Sequence, residues 1–160
     1  MESSINLDVQ AEPSRASVSE EVVKDFLVAA ALHQLDRVRH FVEGRGLHPD
    51  ITFGGKPTAL CYAVLKPHHG LMDYVLARGA DPNHVDQMGM TPLHYAALGG
   101  CAVCLATLVG QGADLSRSNR RGETPLALAQ SKPGRETAAE FLCRCGASLD
   151  PNRTGARRFH

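Results

Sequence analysis

Apolar residues occur in short clusters along the chain, and a polar stretch separates each cluster from the next. The clearest pair of clusters follows Thr91. The first runs to about Leu98 and stops at Gly99-Gly100, and the second has apolar residues at Cys104, Leu105, Leu108 and Val109. Residues spaced three and four apart lie on one face of a helix. The pattern therefore predicts two short helices joined by a turn at the glycines.

The ends of these two helices also have recognisable signals. Thr91 offers a capping oxygen, and Pro92 occupies the first helical position, where its missing N–H costs nothing. Gly112 supplies the left-handed conformation that ends the second helix. Polar residues from Asp114 to Arg121 then lead to the next Thr. The predicted unit is a helix, a turn, a second helix and an extended loop.

This unit recurs along the chain. The segments TALCYA, TPLHYA and TPLALA begin at residues 58, 91 and 124, an interval of 33 residues. A second marker keeps the same interval, since Gly79-Ala80-Asp81 returns as Gly112-Ala113-Asp114, and Gly146-Ala147-Ser148 follows one residue later than the interval requires. Two independent markers with one period predict a stack of repeats.

The repeats fill most of the chain. A weaker first copy places Asp25 in the capping position of Thr, and the fourth copy ends with a helix that carries Ala138, Ala139, Leu142 and Cys143. We predict a repeat domain at residues 21–150. Residues 1–20, rich in Ser and poor in aromatic residues, are expected to be disordered, and residues 151–160 form a basic tail. The four repeats are expected at about residues 22–50, 55–84, 88–117 and 121–150.

The third unit resembles the signature of the ankyrin-repeat family. It contains Gly89-Met90-Thr91-Pro92-Leu93-His94-Tyr95-Ala96-Ala97, followed by Gly112-Ala113-Asp114. The resemblance covers roughly residues 22–150 and implies an all-α fold, an ankyrin-repeat solenoid of helix-turn-helix pairs with short β-hairpin loops. Such repeats bury their apolar faces only against their neighbours. Departures from the signature at Ala59, Cys61, Pro67 and Ala127 concern local geometry.

The same resemblance implies a function in protein–protein interaction, as an adaptor, scaffold or regulatory subunit, and no enzymatic activity. In this family partners usually dock on the hairpin tips and on the solvent side of the first helices. Adaptable Met side chains and Arg suit such an interface. The corresponding residues here are Phe53, Lys66, Gln87, Met88, Met90, Leu98, Arg120, Arg121, Glu123 and Lys132.

Composition restricts the kind of partner. Seventeen basic and seventeen acidic residues give a formal net charge of zero, which disfavours nucleic acid and anionic membranes as partners. No apolar run approaches the roughly 20 residues that span a bilayer, and the N-terminus lacks the pattern of a signal peptide. Five cysteines are an odd number for a disulfide framework. We expect a monomeric protein of the cytosol or nucleus that binds another protein.

The cysteines raise the alternative of a metal- or redox-responsive protein. Cys101 and Cys104 have Cys-x-x-Cys spacing, and Cys143 and Cys145 lie in the following repeat. At about 1.5 Å of rise per residue the two pairs are offset by roughly 7 to 15 Å along their helices, too far for one zinc ion with bonds of about 2.3 Å. We therefore predict no metal and no cofactor, with Cys104 and Cys143 as small apolar core residues.

The histidines offer no clear catalytic group. The family resemblance implies that His94 bonds the Thr hydroxyl at the start of its own helix, and His68 and His69 are expected to face solvent at a turn. A narrower alternative within the same fold is a cyclin-dependent kinase inhibitor-like regulator. Members of that group have a shortened first helix in the second repeat, whereas Thr58–Lys66 predicts a helix of full length here.

Overall fold

Short helices joined in pairs make up the structure, a computed structural model that describes residues 18–147. The described residues contain eight α-helices, and α2 continues directly into a single π-helical turn at His40–Gly44. The helices are α1 (Glu20–Ala31), α2 (Leu35–Arg39), α3 (Ala59–Leu65), α4 (His69–Ala77), α5 (Pro92–Gly99), α6 (Ala102–Gly110), α7 (Pro125–Gln130) and α8 (Glu136–Arg144).

The helix pairs stack side by side. Among the first helices of the pairs, α3 packs against α1 and α5, and α5 packs against α7, while the second helices α6 and α8 also pack against each other. Leu60, Leu93 and Leu126, which follow the three Thr residues by two positions, are all buried in one continuous core. The prediction of an all-α repeat solenoid is confirmed. No helix within residues 18–147 has the length and apolarity needed to cross a membrane.

The loops between pairs fold back as hairpins. Asp86 N–H donates to the carbonyl oxygen of Met90 at 3.1 Å, and Asn119 N–H donates to that of Glu123 at 3.0 Å. Neighbouring hairpins are joined as well, since Arg120 N–H donates to the carbonyl oxygen of Met88 at 3.0 Å. These bonds are too few to form a regular strand anywhere in residues 18–147.

The helix ends follow the predicted signals in the third and fourth repeats. Thr91 accepts a hydrogen bond from His94 N–H, and Thr124 accepts one from Ala127 N–H. Gly100 ends α5 with φ at 74°, and Gly112 follows α6 with φ at 91°. These are left-handed conformations that glycine adopts without steric cost.

Thr58 does not cap its helix, so the prediction that all three Thr residues act as caps is wrong at this position. Its side chain makes no capping bond to the backbone, and its hydroxyl instead donates to Cys61 Sγ at 3.4 Å. Cys61 stands where the third repeat has His94, so the hydroxyl of Thr58 has no imidazole partner within its own turn. Helix α3 nevertheless spans seven residues, between the six of α7 and the eight of α5. The second repeat therefore lacks the shortened helix on which the kinase-inhibitor alternative depends.

The first repeat begins earlier than the pattern predicted. Helix α1 starts at Glu20, and Asp25 is an exposed residue inside the helix rather than a cap. The buried side chains of Val23, Phe26 and Leu27 show that the apolar face extends upstream of Asp25. Residues 1–17 and 148–160, which contain most of the predicted N-terminal segment and the whole basic tail, lie outside the described residues.

Two further expectations about single residues are wrong. Cys143 is exposed, because the buried face of α8 carries Ala138 and Leu142 and Cys143 lies just beyond it. His68 is half-buried and does not face solvent. Its Nδ1 accepts a hydrogen bond from Leu71 N–H at the start of α4, and its ring stacks on that of His33.

Candidate protein-binding groove

The hairpin at residues 86–90 is held from inside by one carboxylate. Asp86 Oδ1 accepts hydrogen bonds from Met88 N–H at 2.8 Å and from Met90 N–H at 3.0 Å. Its other oxygen accepts from the Tyr95 hydroxyl on α5. Burial and this bond to a carboxylate both raise the pKa of Tyr95, which keeps the phenol protonated as a donor. The hairpin is therefore fixed to the helix that follows it.

The next hairpin repeats this arrangement with an amide. Asn119 Oδ1 accepts from Arg121 N–H at 2.9 Å and from Glu123 N–H at 3.0 Å. Its Nδ2 donates to Glu123 Oε2 at 2.9 Å and also lies 3.3 Å from Met90 Sδ in the preceding hairpin. One side chain thus fixes its own hairpin and contacts the neighbouring one.

An open groove of about 400 Å³ lies between these two hairpins and the helices α5 and α7. Its apolar lining comes from the hairpin at residues 86–90 and from both helices, whereas the hairpin at residues 119–123 contributes polar side chains. Residues of α6 and α8 take no part, so the groove opens on the side of the stack that carries the first helices. The lining residues are Met88, Met90, Tyr95, Leu98, Asn119, Arg121, Glu123, Leu128, Ser131 and Lys132.

The structure brings most of the residues selected from sequence into this one place. Six of them line the groove, namely Met88, Met90, Leu98, Arg121, Glu123 and Lys132. Arg120 and Gln87 are exposed on the adjoining hairpins, where Gln87 N–H donates to the carbonyl oxygen of Gly55 at 2.9 Å.

Phe53 and Lys66 lie apart from the groove. Phe53 is half-buried in the second repeat, and the ammonium group of Lys24 lies 4.4 Å from the centroid of its ring. Lys66 is exposed at the C-terminal end of α3. Neither residue is among those that line the groove.

The expectation that Met90 is exposed is wrong. Only 8% of its surface is accessible and it belongs to the core, whereas Met88 is 47% exposed. Met90 lies on the arm of the hairpin that returns to Thr91, and its sulfur contacts Asn119. Its thioether therefore forms part of the floor of the groove and is not available as a projecting contact.

Four lining residues were missed by the sequence reasoning, namely Tyr95, Asn119, Leu128 and Ser131. The repeat interval contained a signal for all four, since Ser131 lies 33 residues after Leu98, a residue that was selected. Tyr95 and Leu128 occupy the same place in successive repeats, 33 residues apart, and Asn119 occupies the place of Asp86. A comparison of equivalent positions across repeats would have selected these residues.

Comparison with known proteins agrees with this geometry. The family model described as "Ankyrin repeats (3 copies)" matches residues 26–119 and 60–154. The chain belongs to the ankyrin-repeat family. Ankyrin repeats are in general protein–protein interaction modules.

Two curated proteins are similar to part of this chain. The chain is 42% identical to potassium channel AKT1 of Arabidopsis thaliana over 53 residues, which is 33% of this chain and 6% of the channel. It is 33% identical to inactive serine/threonine-protein kinase TEX14 of Bos taurus over 127 residues, which is 75% of this chain and 8% of that protein. The match therefore spans less than a tenth of the length of either relative.

The His of the ankyrin signature supports the groove from behind. His94 is fully buried, and its Nδ1 lies 2.8 Å from Thr91 Oγ1 and accepts from Thr91 N–H at 3.1 Å. Its Nε2 therefore carries the proton and donates to the carbonyl oxygen of Glu123 at 3.1 Å. Burial lowers the pKa of His94, so the ring is held neutral. The bond to the Thr hydroxyl expected from the resemblance is confirmed.

The cysteines of the ankyrin stack differ in accessibility. Cys61 and Cys104 are buried, and burial raises the pKa of each thiol to about 12. Cys101 stands at the start of α6, where its sulfur accepts from Cys104 N–H at 3.2 Å. Within residues 18–147, no group of three or more His, Cys, Asp or Glu side chains is arranged to hold a metal ion.

Proposed function

We propose that this protein binds a partner protein through the groove and the adjoining hairpin tips, as an adaptor, scaffold or regulatory subunit. The observation that carries the proposal is the open, largely apolar groove of about 400 Å³ between two hairpins. A groove of this volume accommodates one or two apolar side chains of a partner.

The rigidity of the hairpins supports this proposal. Asp86 and Asn119 satisfy the backbone N–H groups of their own hairpins, so the turns keep one conformation without a partner. Binding to a surface that is already ordered loses less conformational entropy than binding to a mobile loop. The groove is thus arranged as an anchor point, and the exposed tips at Gln87, Met88 and Arg120 extend the contact area.

The remaining properties fit a protein partner. Specific interfaces bury about 800 Å² on each side, so a partner would have to contact the exposed hairpin tips as well as the groove. We further propose that the chain acts as a monomer in the cytosol or nucleus. The five free cysteines support a reducing compartment for the protein, and the balanced charge supports a protein partner rather than nucleic acid.

Capture from cell lysate with matched variants tests the proposal. The groove variant combines Met88→Ala with Arg121→Glu, and the control variant combines Val103→Ala with Arg144→Glu. Each variant shortens one exposed apolar side chain and reverses one exposed charge, but the control residues lie on α6 and α8, away from the groove. Thermal unfolding is measured first to show that both variants fold.

We expect one protein to be captured by the native chain and by the control variant and to be lost from the groove variant. A partner that the control loses and the groove variant still binds would move the binding surface to the second helices. A partner bound equally by all three proteins would also contradict the proposal.

A further inference from the structure

The basic and the acidic side chains around the groove differ in whether they already have bonding partners among the described residues. Arg120, Arg121 and Lys132 are exposed, and no carboxylate among residues 18–147 lies within ion-pair distance of them. The ion pairs of the described residues are elsewhere, for example between Arg78 and Glu43. Three cationic groups that make no ion pair within residues 18–147 thus stand beside one groove.

The acidic groups in the same region are already engaged. Glu123 accepts a hydrogen bond from Asn119 and its backbone carbonyl accepts one from His94. Asp86 accepts three hydrogen bonds, two from backbone N–H groups and one from Tyr95. These carboxylates keep their charge, but they are bonded to donors of their own chain, whereas the three cations have no ion-pair partner within residues 18–147.

The apolar part of the groove adds a second requirement. Its floor consists of Met90, Leu98 and Leu128, and Met88 stands half-exposed at its edge. Burying a partner's Leu, Ile, Phe or Met side chain there removes apolar surface from water, which stabilises the complex by about 25 cal/mol per Å² before the losses of association. Flexible Met side chains can adjust to the shape of the entering group.

We propose that the ligand of this groove is an acidic peptide segment of the partner, with an apolar side chain that enters the groove between its Asp and Glu residues. This inference rests on the function proposed above. The two arginines present planar forks that pair with carboxylates through two parallel hydrogen bonds. The ammonium group of Lys132, which follows α7 in the chain, adds a third positive charge to the groove. Three cations are few for a nucleic-acid surface, which favours a peptide.

Selection from an unbiased peptide library tests the inference. Random peptides of about twelve residues, displayed on phage, are selected on the full chain, and the enriched peptides are labelled for fluorescence anisotropy. The rim variant combines Arg121→Glu with Lys132→Glu. The control variant combines Arg45→Glu with Arg144→Glu, which changes the net charge by the same amount at exposed positions outside the groove.

We expect the enriched peptides to contain more Asp and Glu than Lys and Arg, together with at least one large apolar residue. Their affinity falls by about tenfold or more in the rim variant and by less than about twofold in the control, since the rim cations bind carboxylates directly. The affinity also falls as NaCl is raised from about 50 mM to about 500 mM, because salt screens exposed charges.

Three results overturn the inference. The enriched peptides could lack an acidic excess and still lose affinity in the groove variant, Met88→Ala with Arg121→Glu. That result would refute the acidic ligand but leave the proposed function standing. Peptides bound equally by the native chain and the groove variant would refute both. Failure to enrich any peptide, or binding of a short single-stranded RNA in preference to the peptides, would refute recognition of an acidic segment.

Discussion

The Nε2 atom of His94 lies 3.1 Å from the carbonyl oxygen of Glu123, so one imidazole joins the core of the third repeat to the wall of the groove. The other ring nitrogen lies 2.8 Å from the hydroxyl of Thr91. A single buried side chain therefore fixes the start of a helix and the position of the next hairpin. A change at His94 is expected to alter both stability and the groove.

The pH dependence of stability follows from the neutral state of His94. Burial lowers its pKa below the ordinary value of 6.5. As the pH falls below about 6.5, the unfolded chain takes up a proton that the folded chain does not, and the free energy of unfolding decreases by at most about 1.4 kcal/mol per pH unit. We expect His94→Gln to be less stable than the native chain at neutral pH, with a smaller loss between about pH 7 and pH 5.

Urea denaturation at both pH values measures the free energy of unfolding of the native chain and of His94→Gln. The difference between the two proteins in how this free energy changes with pH isolates His94 from the other titrating groups. The same loss with falling pH in both proteins would mean that His94 is not kept neutral by the fold.

Replacing the two capping Thr residues by Ala leaves different groups without a hydrogen-bond partner. Thr91→Ala removes a helix cap and the hydroxyl partner of buried His94, which together cost about 2 to 4 kcal/mol. Thr124→Ala removes only the cap on Ala127 N–H, which costs about 1 kcal/mol. Chemical denaturation of the two variants checks the order. Equal losses would show that the hydroxyl of Thr91 adds nothing through His94.

Two glycines that end the two helices of the third repeat give a test of the packing between repeats. A Cβ added at Gly99, at the end of α5, would lie 2.6 Å from the carbonyl oxygen of Leu65 on α3, so Gly99→Ala is expected to cost about 1 to 3 kcal/mol. A Cβ at Gly110, at the end of α6, meets nothing within 4 Å. Gly110→Ala is expected to be neutral or to stabilise by up to about 1 kcal/mol.

Thermal unfolding of both glycine variants provides the measurement. If Gly99→Ala is tolerated as well as Gly110→Ala, the close approach of α5 to α3 is not a constraint on the stack.

Thiol reactivity follows accessibility. We expect iodoacetamide at about pH 8 to modify Cys143 rapidly, because its thiol is exposed to solvent. Cys61 and Cys104 should remain unmodified in the folded chain, since burial raises the pKa of both thiols to about 12. Mass spectrometry of peptides after a timed reaction identifies the modified sites. All five cysteines should react in urea, and rapid modification of Cys104 in the folded chain would contradict the burial of α6.

The fold could be predicted because its signals are local and recur. Each of the last three repeats has its own Thr, its own apolar face and its own terminal glycine, so an error in one repeat does not disturb the assignment of the others. The exceptions arise from contacts between parts of the structure. Thr58 turns to Cys61 because the His of the signature is absent there, and His68 is covered because it stacks on His33 of the first repeat.

The site was predictable in position but less so in the direction of its side chains. Counting from the signature places residues 87 to 90 on a hairpin, but Met88 and Met90 point to different sides because the chain reverses between them. The reversal depends on Asp86, whose carboxylate binds the turn from inside. Sequence spacing alone does not give the direction of these side chains. In the structure the direction is clear, because Met88 is exposed and Met90 is buried.

The inward anchoring of the hairpins separates the side chains that keep the stack folded from those that we propose as contacts for a partner. Asp86 and Asn119 hold the turns, while the side chains of Gln87, Met88, Arg120 and Arg121 leave the turns on the outside and make none of those bonds. Mutations at these four positions can therefore accumulate without a penalty in folding. Descendants of this chain can exchange one partner for another while the scaffold beneath stays unchanged.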